Sequence, residues 1–468
     1  MNWLMRVLLL IIVVAYMAQF IVPAQEPLDD ADIAAILRDR VDAAKKSPGI
    51  VVGIIDERGP RIISCGRSGW KEGPILDGDT VFEIGSVTKV FTSLILADMV
   101  TRGEVKLDDP ISKYLPARVK VPSRTGREIT LADLATHTSG LPRLPDNFAP
   151  SDAANPYADY TVAQLYDFLA SYSLKRSPGV EYEYSNVGGG LLGHILALKA
   201  GTNYEALVIK EICQPLGMTN TLITLTAELQ ARLAQGHNEA GHPTANWDMP
   251  ALAGAGALRS TANDLLKLLA ASMGREKTVL QPAMELAETP RHEAGSAGMK
   301  IGLGWHIASN YGTELVWHNG GTGGYRSFIG FNQKKQQAVV VMANSANSVD
   351  DIGFHLLERK YPLEKAARTT NQTAIQMDAK ILDRYVGRYQ FNETIFFNVR
   401  RAEEHLQGRM TGQSYLDLYS ASENEFFYDV VKAQITFNPA TNGQPANLVL
   451  HQGGLDQTAQ KVSDEAPR

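Results

Sequence analysis

The sequence predicts an α+β domain, an antiparallel sheet flanked by helices around an inserted helical region, followed by a small all-β barrel. Three observations carry this reading. Short β-rich runs lie at residues 49–66 and return at 301–342; residues 103–272 read mostly as helices and long loops; and after residue 378 the hydrophobic period becomes two. A chain of 468 residues has room for two or three domains and a sizeable core. The hydrophobic fraction of 44% and charged fraction of 21% are those of a soluble globular protein, and a net charge of −6 argues against nucleic acid as a partner.

The first 24 residues have their own logic. Residues 1–6 carry one positive charge, residues 7–18 are an apolar core, and Val22-Pro23-Ala24 ends in a small residue. This is the pattern of a signal peptide, with cleavage expected after Ala24 and export as the consequence. The competing reading is a retained anchor, because residues 4–22 nearly suffice to cross a bilayer. Only then would the chain be membrane-bound.

The remaining elements follow in order. Ile33, Ile36, Leu37, Val41 and Ala44 recur at helical spacing. Residues 49–56 and 61–66 read as two strands around the turn 57–60, hence a hairpin. Residues 86–100 form a helix apolar almost all round, which places it in the domain centre. Prolines 110, 116, 122 and 142 punctuate the loops beyond, and capped helix starts are read at Thr130 and Thr261. Strands are expected at 301–305, 314–317, 325–331 and 337–342, with a closing helix over 350–358. Residues 361–377 are polar and aperiodic, the best linker in the chain. Strands are then read at 394–399, 405–410, 415–418, 425–430, 433–437 and 447–450. The expected organisation is a domain over 25–360, a linker over 361–377 and a β-domain over 378–468. Two cysteines, Cys65 and Cys213, are too few for a disulfide framework, and unpaired thiols are expected.

Chemistry concentrates in three stretches. In the first, Ser86 precedes Lys89 by three residues, so the two share a helical face about 5–6 Å apart between Cβ atoms. Among apolar neighbours the lysine loses solvation, its pKa falls, and it accepts a proton from the serine. About one or two such spacings arise by chance in a chain this long. The second stretch, Tyr184-Ser185-Asn186, sits on a turn ahead of a helix starting at Leu191, with alternate side chains facing one cleft. Beside an ammonium the Tyr184 phenol would lose its proton more readily and serve as a base. The Asn186 carboxamide both donates and accepts. The third, His318-Asn319-Gly320-Gly321, lets a substrate backbone lie along a strand edge and lets Gly321 aim an N–H at a carbonyl oxygen. Taken singly, each has a plain structural explanation: a packed tyrosine, a capping asparagine, a glycine-rich turn.

Together, in this order, the three stretches resemble the penicillin-recognising serine hydrolases: class C β-lactamases, DD-peptidases and related esterases. The resemblance covers roughly residues 30–360 and extends to residues 135–142, 214–219 and 341–344. It implies a β-lactamase/transpeptidase-like fold and acylation of Ser86, with Lys89 and Tyr184 sharing the proton work. It also implies an oxyanion hole from the Ser86 and Gly321 amides, and substrate contacts from Asn186, His318 and Gly320. The chain departs from the lactamase pattern at His318, where a lysine usually stands. Histidine there is similar to the peptidases and esterases, so DD-peptidase-type hydrolysis is expected ahead of β-lactamase or small-ester activity. A sensor that acylates without turnover is the reading from another class. The resemblance also implies a bacterial periplasmic location. The β-domain looks like a lipocalin-like appendage, with homo-oligomer contacts as one suggested role.

The expected substrates are D-alanyl peptides, β-lactams or esters. No cofactor is expected. No metal is expected either, since His237 and His242 lack a metal-binding spacing. The absence of a Gly-x-Ser-x-Gly elbow around Ser86 argues against an α/β-hydrolase.

Overall fold

The computed structural model describes residues 28–465 except 71, 297, 365–373, 392–394, 403, 412–414, 429–432, 440–444 and 453–454. The expected signal segment and the middle of the expected linker therefore lie outside the described residues.

Helix α1 (Asp30–Arg38) starts behind Asp29, whose carboxylate accepts from Asp32 N–H, and it buries Ile33 and Leu37. The hairpin β1 (Gly49–Asp56) and β2 (Gly59–Gly66) follows. From the far end of the segment come β3 (His292–Glu293), β4 (Met299–Ile301), β5 (His306–Ala308), β6 (Leu315–Gly321), β7 (Arg326–Asn332) and β8 (Gln337–Ala343). The sheet order is β2-β1-β8-β7-β6-β5-β4-β3. Ile50 lies opposite Ala343 and Ile55 opposite Ala338, antiparallel, so both ends of the segment share one sheet as the sequence predicts.

The sheet is buried on both faces because its side chains alternate. Ile50, Val52 and Ile54 pack with α1 and with α5 (Asp350–Leu357). Val51 and Ile55 pack with the inserted region, against α2 (Thr88–Thr101) and α4 (Ala262–Ser272). Helix α2 is buried along residues 88–99, which explains its lack of a polar face. The caps at Thr130 and Thr261 form as expected; Thr130 and Asp133 make a reciprocal capping box.

The expected strand over 301–305 is split. Ile301 ends β4 and the chain turns at Gly304, whose φ is +73° and where a Cβ would lie 2.8 Å from the Lys89 carbonyl oxygen.

The C-terminal unit is a closed antiparallel barrel of eight strands. They are β9 (Gly387–Gln390), β10 (Phe396–Ala402), β11 (His405–Met410), β12 (Leu416–Ser420), β13 (Glu425–Phe427), β14 (Ala433–Pro439), β15 (Pro445–Gln452) and β16 (Leu455–Ser463). Six strands were legible in the sequence; β9 and β16 were not. Strand β16 reads as largely polar, and it forms because it pairs with β15 on one edge and β9 on the other. Tyr389, Phe397, Leu406, Leu418, Phe426, Phe437 and Leu448 fill the interior. Cys65 and Cys213 are both unpaired, Cys213 buried and Cys65 half-buried.

Candidate active site

The site forms where the chain enters α2. Phe82–Glu83 pairs with Arg259–Ser260, and a 3₁₀ turn (Gly85–Val87) leads into the helix. Ser86 thus sits in that turn, two residues before the helix proper. It is the only residue between 80 and 99 that is not buried. Strand β6 runs alongside. Gly85 has φ +49°, and a Cβ there would meet Gly321 N at 2.6 Å; a Cβ on Gly320 would meet the Ile84 oxygen at 2.0 Å. Both positions therefore require glycine. Ser327 Oγ donates to the Ile84 carbonyl at 2.8 Å and clamps this approach. The β5–β6 ladder stops at the Trp317–His306 pair, leaving residues 318–321 with an edge that β5 does not cover.

Lys89 is buried. Its Nζ lies 3.0 Å from Ser86 Oγ, 2.9 Å from Asn186 Oδ1 and 2.7 Å from the Ala255 carbonyl. Burial pushes its pKa well below the ordinary lysine value, with the Arg143 cation acting in the same direction. A neutral amine matches these three neighbours one for one. Two hydrogens reach the two carbonyl oxygens, and the lone pair is left for the Ser86 hydroxyl.

Asn186 comes from α3 (Asn186–Ala200), which begins five residues earlier than the sequence indicates. Ser185 is the cap, its Oγ accepting from Gly188 N–H at 2.8 Å. Glycines 189 and 190 are helical rather than turn residues. A Cβ on Gly189 would meet Lys89 Cε at 3.0 Å, and one on Gly190 would meet Leu252 Cα at 2.8 Å. They keep the helix close to the lysine.

Tyr184 is half-buried, with Lys89 Nζ 4.8 Å from its ring centroid and its hydroxyl hydrogen-bonded to Ser86. Burial raises its pKa, opposed more weakly by the Ser86 hydrogen bond and by Arg143. This runs against the expectation of an easily deprotonated phenol, because burial disfavours the phenolate.

Three histidines surround this tyrosine. The His137 ring centroid is 4.4 Å from that of Tyr184, and its Nδ1 accepts from Ser185 N–H at 3.2 Å. His306 Nε2 shares a 3.0 Å hydrogen bond with the Tyr182 hydroxyl. His318 is fully buried, its Nδ1–H donating to the Asn319 carbonyl at 2.5 Å, with its ring 6.4 Å from Tyr184. Burial pushes all three pKa values down, that of His306 to about 4. His318 therefore stands behind Tyr184 as a neutral group rather than in the open cleft. Among the described residues, His137 Nε2, His306 Nδ1 and His318 Nε2 have no hydrogen-bond partner, and no cluster of three ligating side chains could hold a metal.

The structure thus gathers Ser86, Tyr184 and Asn186 around Lys89 Nζ and lays Gly320 and Gly321 against the residues just before Ser86. Sequence reasoning missed His306, Arg143 and the Ala255 carbonyl. A backbone carbonyl carries no side-chain signal, and His306 meets its partners only through the sheet.

The family described as "Beta-lactamase" matches residues 33–357, and "Domain of unknown function (DUF3471)" matches residues 371–464. The chain is 31% identical over 341 residues to the D-alanyl-D-alanine-carboxypeptidase/endopeptidase AmpH of Escherichia coli (strain K12), covering 69% of this chain and 86% of that protein. Its fold is similar to that of a class C β-lactamase from Rhodobacter sphaeroides, at TM-score 0.61, 25% identity and coverage of 70% and 99%. It is also similar to a β-lactamase/D-alanine carboxypeptidase from Yersinia pestis, at TM-score 0.60, 26% identity and coverage of 68% and 93%. With this sheet, this inserted helical region and this match over most of its length, the chain belongs to the β-lactamase family of serine hydrolases.

Proposed function

We propose that the chain hydrolyses D-alanyl peptides through an acyl-enzyme on Ser86. The observation that carries this is the set of three contacts made by Lys89 Nζ. Neutral Lys89 takes the Ser86 proton as Oγ attacks the scissile carbonyl. The amide hydrogens of Ser86 and Gly321 receive the developing oxyanion. Tyr184, kept protonated by burial, gives its proton to the leaving nitrogen and regains one from the Lys89 ammonium, which carries the proton taken from Ser86. Water later repeats the sequence in reverse. Asn186 holds the lysine and contacts the substrate amide, while Gly320 and buried His318 shape the strand edge behind Tyr184.

Two facts favour a peptidase over a lactamase. The position where lactamases carry a lysine holds a neutral, buried imidazole, and the AmpH relative is named a carboxypeptidase/endopeptidase. We further assign residues 25–360 to the hydrolase domain, 361–377 to a linker and 378–468 to the lipocalin-like β-domain, with export to the periplasm directed by residues 1–24. Among the described residues no helix is long and apolar enough to cross a membrane.

The test is a hydrolysis profile across a D-Ala-D-Ala peptide, a chromogenic cephalosporin and a p-nitrophenyl ester, with mass spectrometry of Ser86 after labelled penicillin. Peptide turnover with a transient adduct is expected. A permanent adduct without turnover points to the sensor, and ester turnover alone points to an esterase.

A further inference from the structure

Two arginines border the cleft, and they differ in how their charge is used. Arg326 Nη1 donates to the Thr322 and Tyr325 carbonyls, and the carboxylates of Glu239 and Asp350 face it. Arg143 is exposed and lies over the Tyr184 ring, its guanidinium carbon 5.2 Å from the centroid. Its backbone is fixed, the carbonyl accepting from Asn186 N–H at 2.9 Å and Val187 N–H at 3.3 Å. Its side chain has no carboxylate partner among the described residues. Its positive charge lowers the pKa values of Lys89, His137, Tyr157, Tyr182 and Tyr184. The mouth of the site is therefore positive and uncompensated on the Tyr184 side.

We propose that Arg143 is the anchor for a free carboxylate on the leaving half of the substrate. This rests on the acyl-enzyme reading above. If Tyr184 protonates the leaving nitrogen, the leaving half must lie beside Tyr184, where Arg143 stands. In a released amino acid the carboxylate is borne by the carbon next to that nitrogen, so it falls within reach of the guanidinium. Arginine suits the task, since its planar fork grips a carboxylate through two parallel hydrogen bonds. His318 cannot do it, being fully buried and uncharged at neutral pH. Arg143 thus makes this chain selective for substrates with a free C-terminus.

The test compares one D-Ala-D-Ala peptide as its free acid and as its C-terminal carboxamide, in wild type, Arg143→Gln and Arg143→Lys. Wild type should prefer the acid. Arg143→Gln should lower the acid-to-carboxamide ratio of kcat/KM by about 10- to 100-fold, mostly through KM, the size expected for hydrogen bonds between charged groups. Arg143→Lys should recover part of it. A wild type that turns over both peptides without preference, or an Arg143→Gln enzyme that keeps the preference, overturns the anchor alone. A wild type that acylates Ser86 with neither peptide nor penicillin overturns the hydrolase reading together with the anchor built on it.

Discussion

The site in the sheet domain and the interior of the barrel differ in how they bury polar groups. Inside the barrel the phenol of Tyr385 donates to the Glu423 carbonyl at 2.7 Å and that of Tyr389 to the Tyr385 carbonyl at 2.9 Å. Arg388 Nε and Asn398 Oδ1 are its exceptions. Around Ser86, a lysine and three imidazoles are packed together, and three imidazole nitrogens have no partner among the described residues. Leaving buried polar atoms unpaired costs stability, of order 1–3 kcal/mol for each. Unpaired buried groups gathered at one place call for an explanation, and chemistry at that place is one. The contrast sets the cluster around Ser86 apart from the described interior of the barrel, where the phenols of Tyr385 and Tyr389 are paired.

The sharpest way to break the comparison is Ser86→Ala, which should abolish hydrolysis while thermal melting stays at the wild-type temperature. Turnover at wild-type rates would end the assignment. Tyr184→Phe comes next and should slow acylation by about 10²–10⁴-fold in rapid-mixing assays. An unchanged rate would shift proton delivery to one of the neighbouring histidines. Phe437→Ala should cost the barrel about 3–5 kcal/mol in denaturant unfolding, yet leave kcat/KM for a small ester as in wild type. A matching loss of activity would tie the barrel to catalysis.

Two pH effects are smaller. Because Lys89 must be uncharged to accept the serine proton, acylation should fall as pH drops through its lowered pKa, and a pH–rate profile should show that acid limb. A profile flat into the acid range would place the base elsewhere. Glu288, also in the sheet domain, is pushed up to about 8 by burial. Between its unfolded value near 4.5 and 8 the native state holds the extra proton, so stability falls as pH rises across that window. In thermal melts Glu288→Gln should lose less stability than wild type from pH 5 to pH 8.5. Parallel curves would show that this carboxyl does not drive the slope.

Local chemistry was legible wherever it acts at short range. The Ser86–Lys89 spacing, the caps at Thr130 and Thr261 and the β1–β2 hairpin are each decided by neighbours within a few residues, and all of them form. The shared sheet was legible too, because both ends of the segment carry strand patterns. Glycines 188–190 misled, since glycine marks a turn in a sequence but also marks a helix that must approach another chain closely. Strand β16 was invisible for a related reason: its edges, not its side chains, make it a strand.

Periodicity and spacing therefore determined most of the elements and the serine with its adjacent amine, because these depend on contacts only a few bonds or one helical turn apart. The lowered pKa of Lys89 was expected from its apolar neighbours, but the tertiary structure alone decided the shifts at Tyr184 and His318. Burial pushes the pKa of Lys89 down and that of Tyr184 up, and it pushes that of the inward-turned His318 down. Those outcomes follow from desolvation, which depends on everything packed around a group and is written in no single stretch of sequence.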